Sequence, residues 1–376
     1  MSRLTFDVVI VGAGIVGAAC AEALASAGLH VAVVERDVVG SGATAAGMGH
    51  LVVMDDSEAQ FSLTRYSQIL WMKLRKELPS DIAYQPCGTL WIAADEDEWQ
   101  EVERKYRFYS ERDVPVEKID ARALGELEPN LREGLSGALF VRDDAVIYPP
   151  CAAGWLIEKA QQKGAKVFLP LAAQRLASDG VLLSDGTRLS SETVVNATGA
   201  WASCLTDGVQ VRMRKGHLAI TDRYPNFIRH QLVELGYLKS AHSLTADSVA
   251  FNVQPRSTGQ ILIGSSRQYE ASDSHVEDHI FSRMLRRTLE YMPAIAQTST
   301  VRVWTGFRAA TPDKLPFIGP WPSQPGIFLA TGHEGLGITT SLATGMLLAD
   351  QILGRPSAIA REPYLPSRTL PGRAHA

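Results

Sequence analysis

The chain has 376 residues, 45% hydrophobic and 21% charged, which is too long for one small core and suits two consecutive or interleaved domains. Its 37 basic and 41 acidic residues leave a net charge of −4 with no basic run, which argues against nucleic acid or an anionic membrane as a partner held by bulk charge. Four scattered cysteines (Cys20, Cys87, Cys151, Cys204) make no C-x-x-C pair and argue against a zinc site, an iron–sulfur cluster or a disulfide scaffold in this chain.

Val8–Val11 is a buried-strand pattern, followed by Gly12-x-Gly14-x-x-Gly17, a helix opened by Ile15 and Val16 that runs to about residue 27, and a strand over 30–34 ending in Glu35. This is the dinucleotide fingerprint in its strand–turn–helix setting. The first glycine makes the turn, the second admits a pyrophosphate to the helix N-terminus, and the third lets helix and strand pack. Glu35 stands where a carboxylate takes ribose hydroxyls, and an acid there disfavours a 2′-phosphate. NAD and FAD both remain open on this pattern. Residues 8–21 carry no charge, but Asp7, three glycines and Glu22 confine them short of the ~20 residues of a membrane span. A cytoplasmic protein without a transmembrane segment is expected, compatible with peripheral attachment at the inner membrane.

Residues 40–53, "GSGATAAGMGHLVV", are a run of small residues that suits close passage along a flat ligand; a nicotinamide dehydrogenase usually has a third βα unit here. From residue 166, short strands are broken by Asp179-Gly180 and Asp185-Gly186, both good hairpin turns. Thr193–Asn196 then runs into Ala197-Thr198-Gly199 and returns the chain to the cofactor domain. Residues 85–142 and 216–303 alternate strands with helices such as 281–291 and read as a second domain on an antiparallel sheet, inserted twice. The cofactor domain then comprises 1–84, 143–215 and 304–376. Residues 327–354 repeat the strand, Gly-rich turn and long helix, a unit that brings backbone N–H groups up to an anion. The tail beyond 355 is rich in Pro and Arg and reads as extended or partner-bound.

Together these segments resemble the D-amino-acid-oxidase-like flavoproteins, which include glycine and sarcosine oxidases. The resemblance rests on the fingerprint with Glu35, the run 42–49, "CGTLWIA" (87–93), "VVNATGAWA" (194–202), "PRSTGQILIG" (255–264), "WTGFRAATPDKLPFIGP" (304–320) and "ATGHEGLGITTS" (330–341), in the family order. It implies an α/β fold: a Rossmann-type FAD-binding domain of glutathione-reductase-like kind, interleaved with an α+β substrate domain. It also implies FAD contacts at Gly12, Gly14, Ile15, Val16, Gly17, Glu35, Arg36, Ala43, Thr44, Gly47, Met48, Gly49, Val167, Ala197, Thr198, Gly199 and Trp201. Gly306, Arg308, His333, Glu334, Gly335, Leu336, Gly337, Ile338 and Thr339 complete the set, with the N–H groups near 335–339 stabilising charge that builds on the reduced ring.

In the family a substrate-binding arginine lies in the W-x-G-x-R strand. Here that is Arg308, suited to hold an amino-acid carboxylate bidentately, although nearby Asp313 offers it a structural ion pair instead. No cysteine precedes "TPD" closely, so FAD is expected to be noncovalent. Asn252 stands where glycine oxidase has a substrate-facing tyrosine, and Ile261-Leu262-Ile263 has no oxygen-activating lysine, which favours a dehydrogenase. His333 and His50 adjoin the Gly-rich stretches and could contact flavin or substrate, or satisfy backbone carbonyls. "FNVQPRSTGQILIGSSRQYE" (251–270) is most similar to the β subunits of heteromeric D-hydroxyproline dehydrogenases and their hydrogen-cyanide-synthase and opine-oxidase relatives. That implies α and γ partner subunits carrying further flavin and an iron–sulfur centre. The expected activity is oxidation of an amino acid's C–N bond to an imine. The alternatives are a glycine- or sarcosine-type or opine oxidase, and a flavin-bearing scaffold subunit.

Overall fold

The computed structural model describes residues 4–236, 247–269 and 271–369; Glu270 and the last residues of the tail lie outside them. Four consecutive buried apolar residues make Val8–Val11 a central strand, since both faces of a parallel sheet are covered. The sheet runs Phe317–Pro320, Ile327–Thr331, Thr193–Asn196, Val8–Val11, Val31–Val34, Lys166–Phe168, parallel throughout except for the first pair. Strand alternation sorts its side chains. Val8, Ile10, Val31 and Val33 pack with the helices Ile15–Ser26, Pro149–Gln162 and Gly337–Ile352. Val9, Val11, Ala32 and Val34 pack against a second, four-stranded sheet that contains Ala173–Ala177, Gly180–Leu183 and Arg188–Ser190.

An eight-stranded sheet forms the other body: Thr300–Ala310, Arg212–Arg223, Gln260–Arg267, Ser248–Pro255, Gln231–Glu234, Thr89–Ala93, Gly137–Val141, Val116–Asp120. It is antiparallel except where Gln231–Glu234 runs beside Thr89–Ala93. Arg212–Arg223 and Thr300–Ala310 pair along their length, so each continues unbroken through a domain boundary expected at 215/216 or 303/304. A short ladder, His50–Leu51 with Ala145–Val146, ties the small-residue run to the chain entering Pro149–Gln162. Residues 356–369 differ from the expected extended tail. Tyr364 is buried with its hydroxyl donating to Ala59 O at 2.6 Å, and Arg368 pairs with Asp313 at 2.6 Å. Among the described residues no helix is long and apolar enough to cross a membrane.

Candidate active site

A cavity of about 470 Å³ lies between the two bodies, beyond the C-terminal ends of Val8–Val11 and Ile327–Thr331, where open α/β sheets place ligands. The helices Ile15–Ser26 and Gly337–Ile352 both begin at it, and in neither does the residue at the N-cap position, Gly14 or Leu336, make a side-chain cap. Their close packing needs Gly345, whose Cβ would stand 2.6 Å from Ala19 O. Gly306 similarly lets residue 46 approach the eight-stranded sheet, since a Cβ there would meet Ala46 Cβ at 2.4 Å.

Most of the expected residues line the cavity: Gly12, Gly14, Ile15, Val16, Glu35, Arg36, Ala43, Thr44, Gly47, Met48, Ala197, Thr198, Gly199, Trp201, Asn252, Gly306, Arg308, and 333–338. Four do not. Gly17 sits behind the turn, where a Cβ would be 1.9 Å from Gly12 O, and a Cβ on Gly49 would be 2.0 Å from Ile147 O. Val167 lies within the six-stranded sheet opposite Val33, while residues 171–173 reach the cavity. Thr339 is buried, its hydroxyl donating to His50 O at 2.8 Å.

At the N-terminal end Glu35 accepts from Ala13 N at 2.8 Å and from Asp37 N at 2.9 Å, which fixes its carboxylate at the end of Val31–Val34. Thr44 Oγ1 accepts from Ile15 N at 3.0 Å, closing the small-residue run onto the helix start. At the other end Arg308 reaches across Arg212–Arg223 to donate to Ser266 O at 2.9 Å. Gly216 and Gly335 leave room for its side chain. Asp313 pairs with Arg368.

His333 lines the cavity, but its Nε2 lies 2.9 Å from Thr344 Oγ1 and burial lowers its pKa to about 3, so it is neutral and already engaged. His50 Nδ1 lies 2.7 Å from Gln231 Oε1, and Asn252 Nδ2 faces His50 Nε2 at 3.4 Å. Burial, opposed by the Gln231 contact and reinforced by Arg256 and Arg308, holds the His50 pKa near 4. Sequence reading missed Gln231 and Arg214. Arg214 is buried, paired with Glu334 and 4.4 Å above the Tyr269 ring. Period-two alternation of 214, 216 and 218 along Arg212–Arg223 could have put Arg214 on the cavity face; the Glu334 pairing spans 120 residues and leaves no local signal.

FAD fits these residues. The two helix starts suit a diphosphate at one and developing negative charge at the other. Near the second end Asn252 Oδ1, Glu334 Oε2 and Arg214 Nε are buried at the cavity without hydrogen-bond partners, as polar atoms awaiting a ligand would be.

A Rossmann-type sheet with a cofactor cleft of this construction defines a flavin-dependent oxidoreductase. Residues 7–351 match the FAD dependent oxidoreductase family (DAO), and the chain belongs to it. It is 30% identical to a glycine oxidase from Geobacillus kaustophilus, over 97% of both chains. It is 26% identical to the hydrogen cyanide synthase subunit HcnC of Pseudomonas aeruginosa, over 98% of this chain and 97% of that one. The crystal structure of glycine oxidase from Geobacillus kaustophilus superposes with a TM-score of 0.87 at 28% identity, covering 98% of this chain and all of that one.

Proposed function

We propose that the enzyme oxidises the C–N bond of a small amino acid, with D-hydroxyproline as the leading substrate, as the catalytic β subunit of a heteromeric dehydrogenase. The observation that carries the reading is Arg308 reaching into a cleft that also receives the start of Gly337–Ile352. FAD, held noncovalently, supplies a hydride acceptor at N5. Arg308 holds the carboxylate and the protein's task is orientation, which brings Cα–H over that acceptor. Asn252 and neutral His50 line the side of the cleft where the amine would lie, while His333, tied to Thr344, keeps the Gly-rich turn in place.

The likeness to HcnC supports a chain that works with partner subunits, which here would be α and γ chains carrying further flavin and an iron–sulfur centre. The likeness to glycine oxidase favours a second reading, in which oxygen accepts the electrons directly. One experiment separates them. The purified chain is mixed anaerobically with cis-4-hydroxy-D-proline or glycine, its flavin band is followed, and air is then admitted. Bleaching by hydroxyproline with slow return supports the dehydrogenase; bleaching by glycine with immediate return supports the oxidase. Flavin that no amino acid bleaches refutes both.

A further inference from the structure

Two polar atoms of the cleft have no part in holding the carboxylate, the amine or the flavin. Trp91 and Gln60 both line the cavity, and neither Trp91 Nε1 nor Gln60 Oε1 has a hydrogen-bond partner. Trp91 is 3% exposed and Gln60 8%, so bulk water does not satisfy these atoms, and buried polar groups of native proteins are as a rule paired. The eight-stranded sheet sets their place relative to the reacting groups. Asn252, Val233 and Trp91 stand opposite one another on the adjacent strands Ser248–Pro255, Gln231–Glu234 and Thr89–Ala93, and all three line the cavity. Adjacent strands lie about 4.8 Å apart, so this row spans about 10 Å of the cleft wall. A small ring whose amine lies at Asn252 rests over Val233, with its far edge toward Trp91.

Both side chains start from fixed backbone. Trp91 sits in a strand paired on both sides, with Val233 and with Leu139. Lys105 Nζ lies 5.2 Å from its ring centroid, and Lys105 is itself held by Asp55. A cation against the indole draws electron density from the ring and strengthens its N–H as a donor. Gln60 lies in the first turn of Glu58–Leu74, where its N–H donates to the Ser57 cap at 3.1 Å. Thr64 Oγ1 donates to Gln60 O at 2.8 Å and accepts from Met54 N at 3.1 Å, which ties the helix start to Met54. Met54 and Val233 share one apolar cluster with Trp91 and also line the cavity. This end of the cleft is thus carbon-lined, with one donor and one acceptor.

An indole N–H only donates, so whatever meets Trp91 must accept. An ammonium group donates only and would leave Trp91 unpaired. A carboxylate accepts only, and Gln60 would have to turn its amide to meet it. Asp56 also lines the cavity and repels such a charge, while Lys105 and Arg104 are both engaged by Asp55. A hydroxyl accepts from Trp91 and donates to Gln60 without adding charge. We infer that Trp91 and Gln60 form a subsite for a hydroxyl on the substrate's ring or side chain, and so select a hydroxylated amino acid over its plain counterpart. The inference rests on the amino-acid reading of the cleft, with the carboxylate at Arg308 and the amine at Asn252.

The test reduces the holoenzyme anaerobically in stopped flow with cis-4-hydroxy-D-proline and with D-proline, which differ only in the hydroxyl. The wild type should be half-saturated by hydroxyproline at a concentration about tenfold or more below that for proline. Trp91→Phe, which keeps an aromatic ring and removes the N–H, should cut that preference to about twofold or less. Gln60→Met, similar in shape but without the acceptor, should do the same and serves if the Trp91 variant folds poorly. The preference is a ratio within one protein, so a packing defect that weakens both substrates alike leaves it unchanged. Equal handling of the two prolines by the wild type, reduction by glycine alone, or a preference that survives both substitutions overturns the subsite and leaves the amino-acid reading in place. Tighter saturation by D-glutamate than by hydroxyproline would make the subsite one for a carboxylate and overturn the hydroxyl assignment. Wild-type flavin that no amino acid reduces refutes the amino-acid reading itself, and the subsite falls with it.

Discussion

At the scale of single residues, the cleft depends on which polar groups are charged and which are held neutral. His50 near 4 and His333 near 3 are both lowered by burial, so neither gains charge until the solution is far more acidic than an ordinary histidine requires. The affinity of a carboxylate inhibitor such as acetate should therefore show no ionisation near the usual histidine value of about 6.5. An inflection there that vanishes in His50→Gln would contradict this. Arg214 and Glu334 form a buried ion pair at the cavity wall. Glu334→Gln should destabilise the protein by about 3–5 kcal/mol by leaving the guanidinium uncompensated, and adding Arg214→Met should recover part of that loss in denaturant unfolding. Glu334 was legible in the sequence as a member of the Gly-rich turn. Its partner was not, because ion pairs between distant strands have no local pattern.

At the scale of elements, the two strand–turn–helix units are what make the cleft, and both were legible because glycine spacing, apolar strand and helix follow one another within about 20 residues. Less legible was how they meet. Ile15–Ser26 and Gly337–Ile352 approach backbone to backbone at Gly345, and this glycine lies in the middle of a helix that would favour alanine by propensity alone. Gly345→Ala should thus destabilise rather than stabilise, by about 1–3 kcal/mol, and should weaken flavin retention because both helix starts shift. Thermal unfolding with a flavin-release assay checks it; a stabilised, fully yellow variant would show that the contact relaxes freely. The strand Thr300–Ala310 teaches a similar lesson. Its sequence carries the family arginine, which suggested the cofactor domain, but hydrogen bonding with Arg212–Arg223 places it in the eight-stranded sheet.

At the scale of the whole molecule, the cleft exists because two sheets with different rules share one chain. The parallel sheet is apolar on both faces and was readable as runs of β-branched residues. The antiparallel sheet buries polar side chains on its cavity side, Asn252, Gln231 and Thr89 among them; Asn252 was legible through the family resemblance, whereas Gln231 and Thr89 look like ordinary strand interior in sequence. Buried Asp144 has a global consequence. Its folded pKa of about 8 exceeds that of an unfolded aspartate, about 3.9, so the folded state keeps a proton that the unfolded state loses. Its contribution is present in full below the unfolded value, declines as pH rises, and is lost once pH passes the folded value. Asp144→Asn should accordingly gain stability relative to wild type from acid pH up to about 8 and hold a constant advantage above it. Midpoints of urea unfolding across that range would show it, and parallel curves for the two proteins would refute it.

The most direct test of the account compares Arg308→Ala with the wild type in anaerobic stopped flow, flavin absorbance being followed as an amino acid that bleaches the wild type is titrated in. The account predicts a variant that is still fully yellow but needs about a hundredfold or more substrate to be reduced, because the charge-assisted bonds to the carboxylate are gone. Reduction of the variant at wild-type substrate concentrations would show that the carboxylate lies elsewhere and would contradict the assignment of the cleft.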